Sequence, residues 1–148
     1  MKGAVVIAVD TNILVYAHRE ESPFHGAALA AMDRLVESDF WALPWPCVHE
    51  FIGVITNPRI FRQPTPLAKA LDAVERLLDV PSVVLLAEAS DYWAVLRSLV
   101  EAGNAVGARI HDARIAAVCL QHGVRQLWSA DRDFNRFPTL KVVNPLVA

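Results

Sequence analysis

The sequence has 148 residues, a formal net charge of −2 and 54% hydrophobic residues. This length suffices for one domain that buries its own core without disulfide or metal support. The balanced charge excludes a global basic field, so any nucleic-acid binding must depend on local arginines or on bound metal cations. The hydrophobic fraction exceeds the average of about 45–50%, which indicates either an unusually well covered sheet or a surface used for association, and we expect a homodimer.

The first predicted element is a buried strand, formed by the apolar run at residues 5–9 that stops at Asp10, Thr11 and Asn12. A continuous apolar run suits a parallel strand covered on both faces. Parallel sheets bind ligands beyond the carboxyl ends of their strands, which is where Asp10 lies. Taken alone, Asp10 fits equally well as a cap, because residues 13–17 begin a helix and Asp is a common N-cap.

Strands and helices then alternate along the chain, without an internal repeat or a linker. Helices are predicted at residues 27–36, about 46–56, 65–78, 90–102 and about 110–122, and further strands at residues 40–43, 82–86, 124–128 and 140–143. These bounds depend on proline starts, glycine ends and apolar periodicity. The alternation predicts an α/β fold, a three-layer α/β/α sandwich with a mainly parallel five-stranded sheet, as a single domain over residues 1–148.

Two of these helices carry specific local predictions. Thr65 is expected to cap the helix that Pro66 starts. In the helix at residues 90–102, Tyr92 and Trp93 share an apolar face with Leu96, which indicates core or dimer contacts rather than a platform for stacking bases.

The cysteines and the apolar runs indicate the cellular compartment of the protein. Cys47 and Cys119 lie in apolar stretches without metal-type spacing, which is typical of small core residues in a reducing compartment, although the sequence leaves a long-range disulfide open. No apolar run approaches the ~20 residues that a membrane helix needs. The N-terminal run ends at Asp10 without a site resembling signal-peptide cleavage. We therefore expect a soluble cytoplasmic protein with no membrane partner.

Two carboxylates lie on predicted helices. At 100° per residue, Asp112 falls within an apolar arc that contains Ile115 and Cys119. A core-facing carboxylate is costly unless it is paired, capped or bound to a metal, although its place in the first helical turn also allows a structural explanation. Glu50 borders the apolar stripe of its helix beside Gly53, where it has room to point into a cleft, but an ordinary boundary glutamate fits this pattern better.

The strand at residues 124–128 also ends on polar side chains, Ser129 and Asp131, and Asp131 alone could be only a helix cap. One shared site explains the acidic residues at these strand tips and helices more simply than four separate caps. The four residues are Asp10, Glu50, Asp112 and Asp131. Clustered carboxylates raise each other's pKa unless a cation lies between them. An oxygen-only ligand set favours Mg²⁺ or Mn²⁺ over zinc and suits phosphodiester hydrolysis by a metal-activated water.

The ordered set of motifs resembles the PIN-domain ribonucleases of the VapC toxin type. The resemblance depends on DTNILVYA at residues 10–17, helical Glu50, HDA at residues 111–113 and SADRDF at residues 129–134. It spans almost the whole chain, and Ser129 stands where the family often has Thr.

The resemblance implies a Mg²⁺- or Mn²⁺-dependent endoribonuclease that cleaves structured RNA such as tRNA or rRNA. It also implies a homodimer, inhibition by a cognate VapB-like antitoxin, and a sheet with strand order 3-2-1-4-5. The implied residues are the catalytic and metal-binding quartet Asp10, Glu50, Asp112 and Asp131, the additional ligand Asp133, and the supporting polar residues Thr11, Asn12 and Ser129.

Arginines near the predicted strand tips could contact RNA phosphates. The candidates are Arg59, Arg62, Arg109, Arg132 and Arg136, of which Arg109 and Arg132 are the predicted contacts. His49 and His111 neighbour acidic residues in sequence but point about 100° away on a helix, so neither is predicted to be a ligand.

Two other functions are compatible with the sequence. The first is a phosphatase or phosphotransferase that uses Asp10 as nucleophile. Haloacid dehalogenase-like sites of that kind usually carry a second aspartate two residues later, where this chain has Asn12. The second is a non-catalytic module that binds RNA or a protein partner.

Overall fold

The described residues, 6–147 of this computed structural model, form one parallel sheet flanked by helices. The strands are β1 (Ile7–Val9), β2 (Trp41–Pro44), β3 (Val83–Leu86), β4 (Gln126–Trp128) and β5 (Lys141–Val143). The helices are α1 (Thr11–His18), α2 (His25–Val36), α3 (Trp45–Ile55), α4 (Leu67–Leu78), α5 (Tyr92–Gly103) and α6 (Arg109–Gln121), and a short 3-10 helix covers Arg132–Arg136. Val5, at the start of the first predicted strand, lies outside the described residues.

The strand order is β3-β2-β1-β4-β5, and every neighbouring pair is parallel. The predicted α/β fold and strand order are confirmed, and within residues 6–147 the sheet is fully rather than mainly parallel. β1 is the central strand, and the chain moves to β2 on one side of it and later to β4 on the other. The carboxyl ends of β1 and β4 therefore flank the topological switch point, where open α/β sheets bind ligands.

The contacts between helices agree with this strand order. Helices α1 to α4 form one group, in which α1 contacts α2 and α3, and α3 contacts α4; α5 contacts α6, and α3 also contacts α6. Right-handed crossovers on the two sides of β1 require these two helix groups to lie on opposite faces of the sheet. No helix in the described part of the chain is both long and apolar enough to cross a membrane.

Large apolar side chains and small helix residues fill the space beside the central strands. Trp41, Phe51 and Phe134 are almost completely buried. The alanines of α6 are buried as well, and their small side chains allow close approach to the sheet. Cys47 and Cys119 are buried free thiols, which confirms their prediction as core residues and excludes the disulfide left open by the sequence.

One local prediction is wrong, and another is confirmed only in part. Thr65 does not cap α4, which begins at Leu67 without a side-chain cap. The Thr65 hydroxyl lies instead 2.9 Å from Nε2 of His18 and accepts a hydrogen bond from Arg19 at 3.2 Å. On α5, Tyr92 and Leu96 pack against the core as predicted. Trp93 lies at the margin of this apolar face and is 68% exposed, so it is not a core residue, and a dimer contact through it stays a prediction.

Candidate active site

Ser129 links the carboxyl ends of β1 and β4. The backbone amide of Asp10 donates to the carbonyl of Trp128 at 3.0 Å, which extends the ladder between the strands to their tips. The Ser129 hydroxyl donates to Oδ2 of Asp10 at 2.7 Å and accepts from the amide of Asp131 at 3.0 Å. One buried hydroxyl therefore fixes the positions of two acidic residues that are 121 positions apart in the sequence.

Asn12 completes this network from the first turn of α1. Its amide nitrogen donates to Oδ2 of Asp10 at 3.2 Å and to Oγ of Ser129 at 3.1 Å. Its amide oxygen accepts from the backbone N–H of Ala130 at 3.1 Å. Ser129 thus uses its donor and both acceptor positions, and the side chain of Asn12 ties the tip of β4 to α1.

Asp10 and Asp131 also cap the helices that follow them. Oδ1 of Asp10 accepts from the amide of Thr11 at 2.8 Å at the start of α1. Oδ1 of Asp131 accepts from the amide of Asp133 at 2.9 Å at the start of the 3-10 helix. The capping role and the role in a shared site, which the sequence offered as alternatives, are therefore compatible.

Asp112, Asp131 and Asp133 form a close carboxylate cluster, in which one oxygen of each lies within 4.8 Å of the others. Asp112 comes from the first turn of α6 and the other two from the segment after β4. Oδ2 of Asp112 is buried and has no hydrogen-bond partner among the described residues. An orphaned buried oxygen within a set of hard oxygen donors fits a Mg²⁺ or Mn²⁺ ion.

A cleft of about 400 Å³ joins this cluster to the rest of the predicted quartet. Asp10, Glu50, Asp112 and Asp131 all line it. Glu50 is exposed on α3, whereas Asp10 is buried at the end of β1. The structure therefore brings the four acidic residues into one cleft, in which the carboxylate of Glu50 is exposed and that of Asp10 is buried.

A PIN-domain family model matches residues 7–140. The chain is a PIN domain. Ribonuclease VapC43 of Mycobacterium tuberculosis is 37% identical to it over 142 residues, which cover 95% of this chain and 96% of that protein. Ribonuclease VapC48 of the same organism is 30% identical over 137 residues, covering 92% of this chain and 94% of that protein. These identities confirm the predicted family and group the chain with VapC-type PIN domains.

Solved structures agree on the fold. VapBC2 from Rickettsia felis, bound to a DNA fragment from its promoter, matches with a TM-score of 0.67 and 18% identity over 95% of this chain and 98% of that chain. VapC20 of Mycobacterium tuberculosis, described as a toxin that cleaves the Sarcin-Ricin loop, matches with a TM-score of 0.66 and 17% identity over 87% of this chain and 92% of that chain.

The environment of this PIN domain's cleft opposes the ionised forms of two carboxyls. Burial raises the pKa of Asp10 from 3.8 to about 6, against hydrogen bonds from Ser129 and Thr11 that lower it, and the charges of Glu50 and Asp131 raise it further. Burial, followed by the neighbouring carboxylates, likewise raises the pKa of Asp112 to about 6. A bound cation would relieve both effects, because it favours the charged forms.

Other predicted residues differ in how they contribute to the PIN domain's site. Thr11 lines the cleft, but its buried hydroxyl has no hydrogen-bond partner among the described residues. Arg132 is exposed on the 3-10 helix, while Arg136 donates to the carbonyl of Gly103 at 3.2 Å. Arg109 is directed at the acidic cluster, since its guanidinium lies 2.8 Å from Asp133.

Some contributors to the PIN domain's cleft were missed by the sequence reasoning. Ile60 and Phe61 line the cleft together with the carboxylates, and the thiol of Cys47 lies 3.8 Å from Oδ1 of Asp10. No local pattern distinguishes these residues from ordinary core and loop positions. The contact between Arg109 and Asp112 had a readable signal, because residues three apart on a helix are neighbours.

Proposed function

We propose that this PIN domain is a divalent-metal-dependent endoribonuclease that hydrolyses phosphodiester bonds in structured RNA. The observation that carries the proposal is the carboxylate cluster with its orphaned buried oxygen, which shares a cleft with Asp10 and Glu50. Asp10, Glu50, Asp112, Asp131 and Asp133 would hold Mg²⁺ or Mn²⁺. When bound, the ion would activate a water molecule and neutralise charge on the scissile phosphate.

Different residues of the chain would hold the ion, accept a proton and position the ligands. Asp10 is enclosed and fixed by Ser129 and Asn12, so it would act as a rigid ligand of the ion. Glu50 is exposed in the same cleft, so it is the carboxylate that can accept a proton from a water on the substrate side. Ser129 and Asn12 position ligands rather than contact the reacting atoms.

Substrate and partners follow from the related proteins. Relatives at 30–37% identity are named ribonucleases, and a fold neighbour is described as cleaving the Sarcin-Ricin loop, which supports an rRNA or tRNA substrate. Neighbours solved as VapBC complexes support inhibition by a cognate VapB-like antitoxin. Exposed Arg132 stays a predicted RNA contact, and the homodimer and the cytoplasmic location remain predictions from the sequence.

The test combines RNA cleavage with ion binding. The wild type should cleave a structured RNA with Mg²⁺ or Mn²⁺ and not in EDTA, and Asp10→Asn should lose both cleavage and calorimetric Mn²⁺ binding. Asp91→Asn is the matched control, since Asp91 is exposed outside the cleft with φ 66°, a conformation that Asn tolerates.

Three results would contradict the proposal. Cleavage that persists undiminished in EDTA would exclude metal dependence. Turnover of a phosphate monoester without RNA cleavage would identify a phosphatase. If the wild type bound no Mn²⁺, or if Asp10→Asn bound it equally well, the domain would be a non-catalytic binding module.

A further inference from the structure

Arg109 lies where the acidic cluster needs a positive charge. Its Nη2 lies 2.8 Å from Oδ2 of Asp133, and its Nη1 lies 3.8 Å from Oδ2 of Asp112. We propose that Arg109 is an internal counter-ion, which holds the cluster in the ion-free protein and leaves it when a divalent cation binds. This inference rests on the proposed metal dependence and adds a regulatory contact to it.

The position of Arg109 on α6 makes the contact possible. It is the first residue of the helix and precedes Asp112 by three residues, so the two side chains share one face. From there the guanidinium reaches across to Asp133 on the 3-10 helix. Arg109 thereby joins α6 to the segment after β4 at the point where the cluster forms.

Arg109 neutralises the cluster only in part. The distance of 3.8 Å to Asp112 is too long for a hydrogen bond, and Oδ2 of Asp112 is buried without a hydrogen-bond partner among the described residues. The donors of a guanidinium diverge in a fixed plane, so they cannot all meet three oxygens that lie within 4.8 Å of one another. A small cation can sit between such oxygens, so it satisfies the cluster better than Arg109 does.

Departure of the guanidinium is feasible because the side chain of Arg109 is 39% exposed and has solvent on one side. A forked guanidinium released beside the cleft is well suited to bind a phosphate. The exchange would therefore make Arg109 available to RNA only after the ion has bound. The order of events would be ion first and substrate second.

The alternative role of Arg109 gives the opposite effect on ion binding. If Arg109 stayed on Asp133 after ion binding, it would orient a ligand, and its removal would weaken ion affinity. If Arg109 competes with the ion, its removal should strengthen ion affinity. The sign of the change therefore separates the two roles.

The experiment is calorimetric titration of the full chain with Mn²⁺, without RNA. We expect Arg109→Ala to bind Mn²⁺ about 2- to 5-fold more tightly than wild type, the range expected for a partly exposed ion pair. Arg132→Ala is the matched control, because it removes the same charge next to the cluster from a residue that forms no ion pair in the described part of the chain. Its Mn²⁺ affinity should change less than that of Arg109→Ala.

A second readout covers folding. In EDTA, Arg109→Ala should melt at a lower temperature than wild type, and saturating Mn²⁺ should raise its melting temperature by more than it raises that of wild type. Arg109→Gln repeats both measurements if the alanine variant does not fold. Unchanged or weaker Mn²⁺ binding in a folded variant, or a gain no larger than that of Arg132→Ala, overturns the inference and leaves the proposed function standing. Absence of Mn²⁺ binding in the wild type overturns both.

Discussion

The two parts of the acidic cleft differ in how their polar groups are satisfied. Around the tips of β1 and β4, Asp10, Asn12 and Ser129 form a closed hydrogen-bond network with bonds of 2.7–3.2 Å. Around the start of α6, Asp112 keeps a buried oxygen without a hydrogen-bond partner in the described chain. The first part is complete as folded, whereas the second is neutralised only in part, by Arg109.

This difference indicates a division of labour between scaffold and ligand site. A fully bonded buried network rigidifies its members, so it can hold Asp10 in place before an ion arrives. A group of repelling carboxylates destabilises the folded state until a cation binds. Ion binding is therefore what offsets the free-energy cost of this repulsion. The two parts should therefore respond in opposite ways to the loss of one side chain.

The largest expected effect is that of Asp112→Asn. RNA cleavage should fall by at least about 100-fold, since loss of groups that merely orient a metal ligand already costs about 10–100-fold. In EDTA, the melting temperature should stay equal or rise, because the change relieves repulsion with Asp131 and Asp10. Cleavage assays and thermal melts check this, with Asp72→Asn on the exposed face of α4 as control. A variant that unfolds would show that Asp112 is a structural cap instead.

Ser129→Ala should have the opposite effect on stability, because it should destabilise the folded protein. It removes a donor to Asp10 and leaves the amide of Asp131 without its acceptor, which should lower the free energy of unfolding by about 1–3 kcal/mol even in EDTA. Mn²⁺ affinity should fall by about 10–100-fold, as for other partners of metal ligands. Denaturant unfolding and calorimetry measure the two effects, with Ser98→Ala on the exposed side of α5 as control. A fully stable variant would contradict the view that this part is a scaffold.

The sequence predicted the residues of the site better than their contacts. Asp10 and Asp131 could be recognised because each follows an apolar strand, and Asp112 because helical periodicity directs it toward the core. The bond between Asn12 and Ser129 joins residues 117 positions apart, and no local pattern contains that information.

The wrong prediction for Thr65 has the same physical origin. Thr65 has the local signature of a helix cap, but its hydroxyl contacts His18 and Arg19, which are 47 and 46 residues away. A long-range contact therefore overrode a local preference. The pairing of Arg109 with Asp133 is a further contact of this kind, since it depends on how α6 meets the segment after β4.

The smallest expected effect is a pH dependence that separates the ion-free from the ion-bound protein. The pKa values of Asp10 and Asp112 are raised from 3.8 to about 6, so the folded state binds protons more tightly than the unfolded state. The stability that these two groups contribute is therefore fully present below about pH 4 and is lost as the pH rises through about 6. In EDTA, the melting temperature should fall by several degrees more between pH 5 and pH 7 in wild type than in Asp10→Asn/Asp112→Asn. Saturating Mn²⁺ should reverse the sign for wild type, because protons compete with the ion for the same carboxylates. Equal slopes for the two proteins in EDTA would contradict the raised pKa values of Asp10 and Asp112, and the need of the cleft for a cation would then lose its electrostatic basis.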